Sequence, residues 1–140
     1  MNHLTVSITV IMVFLSTTIF AQKTIWFTDN GSITTKEDGI YYRPAPKKVK
    51  NGYWITEYYK KGAVRTEAYS ETNIPFKEKY RGIRKIYFET GELQQEEFYE
   101  NGKPEGIWKT YYKNGKIKTK GKYRNGEKVG VWKTFYKNVY

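Results

Sequence analysis

Between residues 109 and 124 a cationic or phenolic side chain stands at almost every second position: Lys109, Tyr111, Lys113, Lys116, Lys118, Lys120, Lys122 and Arg124. On an extended chain such spacing sends one set of side chains to one face. A face of this kind gathers anions through its field, and the Tyr111 ring adds a flat contact. Bond-making chemistry has far fewer starting points. The chain has no Cys and a single His, His3, which lies in a leading apolar stretch. Aspartate occurs only as Asp29 and Asp38, and the glutamates fall mostly on strand-like surface positions. No nucleophile–base pair and no nitrogen or sulfur ligand set can be assembled from these residues. The expectation is a non-enzyme that works by binding and uses neither cofactor nor metal.

The formal net charge of +11 arises from 25 Lys and Arg against 14 Asp and Glu. Residues 101–140 hold ten Lys and one Arg against Glu105 and Glu127, so they carry +9 of it. Just upstream, Glu92, Gln94, Glu96 and Glu100 occupy the repeat positions of Lys116, Lys118, Lys120 and Arg124. One surface is thus written twice with opposite sign. A bland reading is a solvated face whose lysines keep a flat sheet soluble. The functional reading is a landing surface for an acidic protein, or for an anionic membrane surface. Export, argued below, and the lack of any recognised nucleic-acid fold weigh against nucleic acid.

What must position these side chains is a repeat. Residues 106–114 (GIWKTYYKN) return 24 positions later as 130–138 (GVWKTFYKN), identical at seven of nine positions. The period runs back through Gly82, where Arg84 takes the Trp108 position, to Gly52 and Trp54, where one additional residue precedes the tyrosine pair and suggests a β-bulge. Residues 71–81 lengthen one connection. Each unit reads as an antiparallel hairpin, since Tyr, Trp, Ile, Val and Thr dominate and Asn101-Gly102, Asn114-Gly115 and Asn125-Gly126 supply turns. Taking Asn114-Gly115 as a two-residue loop sets Lys113 against Lys116, Tyr112 against Ile117, Thr110 against Thr119 and Trp108 against Gly121. Trp108 then covers the bare backbone at Gly121, and Lys109 through Arg124 form the opposite, basic face. Trp54, Trp108 and Trp132 read as one apolar spine, with Gly52, Gly82, Gly106, Gly115, Gly130, Tyr112 and Tyr136 as further structural positions of the repeat.

The expected fold is therefore all-β: consecutive hairpin repeats of about 24 residues forming an elongated, twisted single-layer sheet. Such a sheet has a free edge in its last strand, open to self-association or to a strand from another molecule, although Lys133 and Lys137 work against such pairing. Residues 4–20 are uncharged and apolar, and Ala21-Gln22 opens a polar sequence. This pattern reads as a signal peptide over residues 1–21 cleaved after Ala21, with a retained membrane anchor as the competing reading. Residues 22–50 then form a lead segment and 51–140 the repeats. An exported location follows.

The pattern G-x-W-x-x-Y-Y-x-N-G-K-(I/L), followed by Tyr-x-Asn-Gly, resembles the MORN-variant repeat of proteins labelled YwqK-type antitoxin components of toxin–antitoxin systems. It rests on Gly106, Trp108, Tyr111, Tyr112, Asn114, Gly115, Tyr123, Asn125 and Gly126, and again on Gly130, Trp132 and Tyr136. Gly52, Trp54, Tyr58, Tyr59, Gly62, Gly82, Tyr87, Phe88 and Gly91 carry it in part. The resemblance covers about 90 residues, 51–140. It implies binding of another protein, in its specific form an antitoxin or immunity role, while related repeats are associated with membrane surfaces and scaffolding.

Overall fold

The computed structural model describes residues 23–136. The expected signal peptide lies outside them. All regular structure among the described residues is strand: Ile25–Phe27 (β1), Ile33–Thr34 (β2), Tyr41–Arg43 (β3), Lys47–Val49 (β4), Gly52–Tyr59 (β5), Val64–Ser70 (β6), Gly82–Tyr87 (β7), Leu93–Glu100 (β8), Lys103–Tyr111 (β9), Ile117–Arg124 (β10) and Glu127–Thr134 (β11). They form one open antiparallel sheet ordered β11-β10-β9-β8-β7-β6-β5-β3-β1-β2, with β4 also on β5. The hairpin-repeat architecture expected from the sequence is what the chain adopts.

Two kinds of turn alternate along it. Asn101-Gly102 and Asn125-Gly126 are two-residue turns with positive φ at both residues (51° and 76°, 51° and 92°), closing Glu100 on Lys103 and Arg124 on Glu127. This is the geometry that Asn-Gly favours, since both residues tolerate left-handed backbone. Asn114-Gly115 behaves differently. Tyr112 N–H donates to Lys116 O at 2.9 Å and Gly115 N–H to Tyr112 O at 2.9 Å, so the loop has three residues, with only Gly115 (φ 79°) in the left-handed region. Residues 29–31, 60–62 and 89–91 repeat this loop around Gly31, Gly62 and Gly91.

The three-residue loop corrects the expected register beside the turn. Tyr111, not Tyr112, faces Ile117, and Lys113 does not face Lys116. A bulge at Lys118 then absorbs one residue, so Thr110 still faces Thr119 and Trp108 still faces Gly121. The same bulge position is held by Arg65 and Gln94 in the two preceding hairpins.

A second bulge starts each unit. Gly82, Gly106 and Gly130 have φ of 79°, 64° and 66°. At the last two, three residues face one: 106–108 oppose Glu97, and 130–132 oppose Gly121. The distortion tips the tryptophan back onto the preceding strand. Trp108 Nε1–H donates to Phe98 O at 3.2 Å. Trp132 lies flat on Gly121, where an added Cβ would stand 2.1 Å from its ring. Trp132, rather than Trp108, therefore fills the space above that glycine.

Trp54 does not join the spine. Cross-strand pairs Ile55/Ala68, Arg84/Glu97 and Trp108/Gly121 occupy equivalent places, so Ile55 holds the Trp108 position. The additional residue in the first unit makes no bulge at its own site, because β5 pairs with β6 without a break from Tyr53 to Glu57. It shifts Trp54 by one residue to the other face, against Tyr69, where 39% of it is exposed. A one-residue shift inverts the face of a side chain.

The core sits in the first half of the sheet. Phe27, Tyr41, Ile55 and Ala68 are buried together with Arg43, Glu57, Thr66 and Ser70. Arg43 donates through Nη2 to Glu57 Oε1 at 2.7 Å, and Arg65 Nη1 donates to Glu57 Oε2 at 2.9 Å. The Arg65 guanidinium also lies 3.9 Å above the Tyr41 ring. Burial works against the Arg43 charge, but the hydrogen bonds to Glu78 and Glu57 outweigh it and raise its pKa. Glu78 comes from the lengthened connection, as does Phe76, whose ring meets Phe27 edge-on at 6.1 Å. The connection thus folds back as a cover over the charged core.

Candidate functional site

Cross-strand pairing builds a row of charges on the face opposite that core. It runs Glu67, Lys85, Glu96, Lys109, Lys120, Lys133 from β6 to β11, each residue directly opposite the next. Signs alternate through Lys109, whose Nζ lies 3.6 Å from a Glu96 carboxylate oxygen. Alternation then stops, and Lys109, Lys120 and Lys133 stand side by side. Like charges directly opposite one another weaken a sheet, so local stability does not account for this arrangement.

Beside the row is a shallow depression of about 490 Å³ on β9, β10 and β11. Ile107, Val129, Val131 and Phe135 provide its apolar floor, and Lys120, Lys122, Arg124 and Lys133 surround it. Val131 is 79% exposed. Contiguous apolar surface fringed by charge is characteristic of contact surfaces. At the end of the hairpin the Glu105 carboxylate accepts from the backbone N–H groups of Asn125 (2.7 Å) and Gly106 (3.2 Å). Those bonds hold its pKa below the usual carboxylate range. Glu105 is therefore engaged by the backbone of Gly106 and of the β10–β11 turn rather than by the lysine row.

The eight residues expected to share the basic face divide into two groups. Lys109, Tyr111, Lys120, Lys122 and Arg124 share it, joined by Ile117 opposite Tyr111. Lys118 is turned away by its bulge, and its Nζ lies 5.7 Å from the centre of the Tyr112 ring. Lys113 and Lys116 belong to the turn, where Lys113 Nζ reaches the Phe88 ring at 5.7 Å. The placement of all eight on one face is corrected by the loop and its compensating bulge. Lys133, Ile107, Val129 and Val131 were not among the candidate residues. The 24-residue echo of Lys109 at Lys133 was the signal that points to the lysine.

The other face of these strands carries rings in series: Tyr80, Tyr99, Trp108, Tyr123 and Trp132, with neighbouring centroids 5.3, 5.4, 4.5 and 5.2 Å apart. Arg84 enters this row at a tryptophan position. Its Nη1 donates to Glu97 Oε2 at 2.8 Å, and its guanidinium lies 5.3 Å from the Tyr80 ring centre. Burial opposes the charge on Arg84, while Glu97 outweighs it and raises the pKa. Burial also pushes the Tyr80 phenol up to about 12.

Residues 80–101 and 104–125 match the MORN repeat variant. Two segments of this sheet are thus similar to the MORN repeat variant. The first is the acidic hairpin of β7 and β8, and the second is the hairpin of β9 and β10 that carries most of the basic row. No curated protein and no solved structure matches the chain. MORN repeats are non-catalytic and generally bind proteins or lipids.

Proposed function

We propose that the chain is an exported, non-enzymatic binding module that recognises the acidic surface of another protein through the basic face of β9, β10 and β11. The observation behind this reading is the interruption of the alternating charge row at Lys109, Lys120 and Lys133, next to an exposed apolar floor. Three adjacent cations with one nearby carboxylate carry a field that an acidic partner neutralises, while Val131 and Phe135 supply apolar area. An antitoxin or immunity component is the specific form we favour, because the repeat resemblance points there and the surface suits protein recognition. Docking on an anionic membrane is the second reading, supported by the same pairing of cations and exposed apolar groups.

The test compares residues 22–140 with the variant Lys109→Glu, Lys120→Glu, Lys133→Glu. We expect the native chain to retain a stoichiometric protein that salt releases and the variant does not hold. Flotation with phosphatidylserine vesicles, without any retained protein, would select the membrane reading. Retention that ignores both salt and charge reversal would overturn the site. The antitoxin form makes a separate demand: the captured protein must stop growth when expressed alone and lose that effect when this chain is expressed with it.

A further inference from the structure

We propose that the outer edge of β11 takes up an acidic extended segment of the partner as an additional antiparallel strand. This deepens the reading above, on which it rests, by specifying where and in what conformation the partner is held.

Among the described residues β11 pairs only with β10. Phe135 N–H donates to Lys118 O at 2.8 Å, so the peptide groups of the odd-numbered residues here face inward. By strand alternation those of Trp132 and Thr134 face outward. Their counterparts one repeat earlier, Trp108 and Thr110, are paired with Gly121 and Thr119 of β10. The edge therefore offers the pairing positions that earlier repeats fill.

The chain also contains an example of a strand that suits such an edge. β7 is the repeat counterpart of β11, and its mate β8 reads Leu-Gln-Gln-Glu-Glu-Phe-Tyr-Glu. That pairing sets Glu96 opposite Lys85, the counterpart of Lys133. A strand of β8 character on β11 would place a carboxylate opposite Lys133 and restore the alternation that fails there. A second copy of this chain fits less well. Two β11 edges would bring the Lys133 side chains together on one face and the Lys128 side chains on the other, and among the described residues the opposite edge of the sheet offers only the two residues of β2 and the three of β4. Backbone pairing gives such a complex its affinity and the alternating side chains its selectivity.

The probe is a synthetic peptide with the sequence of residues 93–100, and the control peptide copies the basic residues 117–124. With the full chain, we expect the acidic peptide to bind and to slow amide exchange at Trp132 and Thr134, while the basic one does neither. Thr134→Pro removes an outward N–H that the sheet does not use, a change that edge strands tolerate. It should leave the melting temperature intact and weaken the acidic peptide by about tenfold. If that variant misfolds, a peptide N-methylated at the residue facing Thr134 makes the same test on the native chain. Absence of binding, binding without protection of those two amides, or indifference to both blocks would overturn the proposal. So would a concentration-dependent dimer that protects the same amides. Should the triple charge reversal abolish capture of the protein while Thr134→Pro does not, the basic face survives and the added strand fails.

Discussion

In β3, β5 and β6 the charges are inside. Arg43 and Glu57 are buried with Phe27, Tyr41 and Ile55, Arg65 lies over Tyr41, and Glu78 closes the cluster from the connection between β6 and β7. In β9, β10 and β11 the equivalent face holds Trp108, Tyr123 and Trp132 with Lys128 over the last ring, and Lys109, Lys120, Lys122, Arg124 and Lys133 stand on the opposite surface. Apart from Gly121, no residue of these three strands is buried. The difference follows from what covers each half. Buried ions require full coordination and exclusion of water, and residues 71–81 provide a cover only over the first half. Without one, the later repeats use rings stacked along the sheet, which can remain half-exposed at little cost. Cations are then free to face outward.

The boundary between the two modes is Arg84/Glu97, and moving it should have the largest effect. Glu97→Gly strands the largely buried Arg84 charge, whose Nε has no hydrogen-bond partner among the described residues. It should cost about 3–5 kcal/mol in urea unfolding. Adding Arg84→Trp rebuilds the Trp108/Gly121 pair and should recover most of that loss. A cycle in which the two changes simply add would show that the pair does not mark a boundary.

Gly121→Ala tests the uncovered half at its tightest point. The added methyl meets the Trp132 ring, and overpacking of this kind costs about 1–3 kcal/mol. Tryptophan fluorescence should shift with it, and unchanged stability would mean that Trp132 moves aside freely. Lys120→Glu should have the smallest effect and the opposite sign. Placing a carboxylate between Lys109 and Lys133 should stabilise the chain by roughly 0.2–1 kcal/mol, with the gain shrinking as salt rises. Destabilisation would show that the lysine row is not locally unfavourable.

The hairpins, their period and the Trp108/Gly121 pair were legible because strand alternation and the 24-residue echo depend only on spacing. The positions of Lys116, Lys118 and Ile117 were not, because Asn-Gly supports two turn types. At Asn114 the side chain accepts from Lys116 N–H at 3.1 Å, and only Gly115 enters the left-handed region. Nor was the displacement of Trp54, since an inserted residue can make a bulge or invert the face. The buried cluster of Arg43, Glu57, Arg65 and Glu78 draws on four separated segments, which no local pattern joins. Arg84 was visible as a departure at the tryptophan position. Its explanation needed Glu97, the residue standing where the next unit has Gly121.

The lysine row crosses strands instead of following one. Its pitch is consequently set by the backbone ladder, at about 4.8 Å per strand, whatever residues lie between. Lys109, Lys120 and Lys133 are thus three teeth of a comb about 10 Å long. Each further repeat that keeps its lysines would add two teeth at the same pitch, so the length of the cationic comb is counted in units of the chain's own repetition.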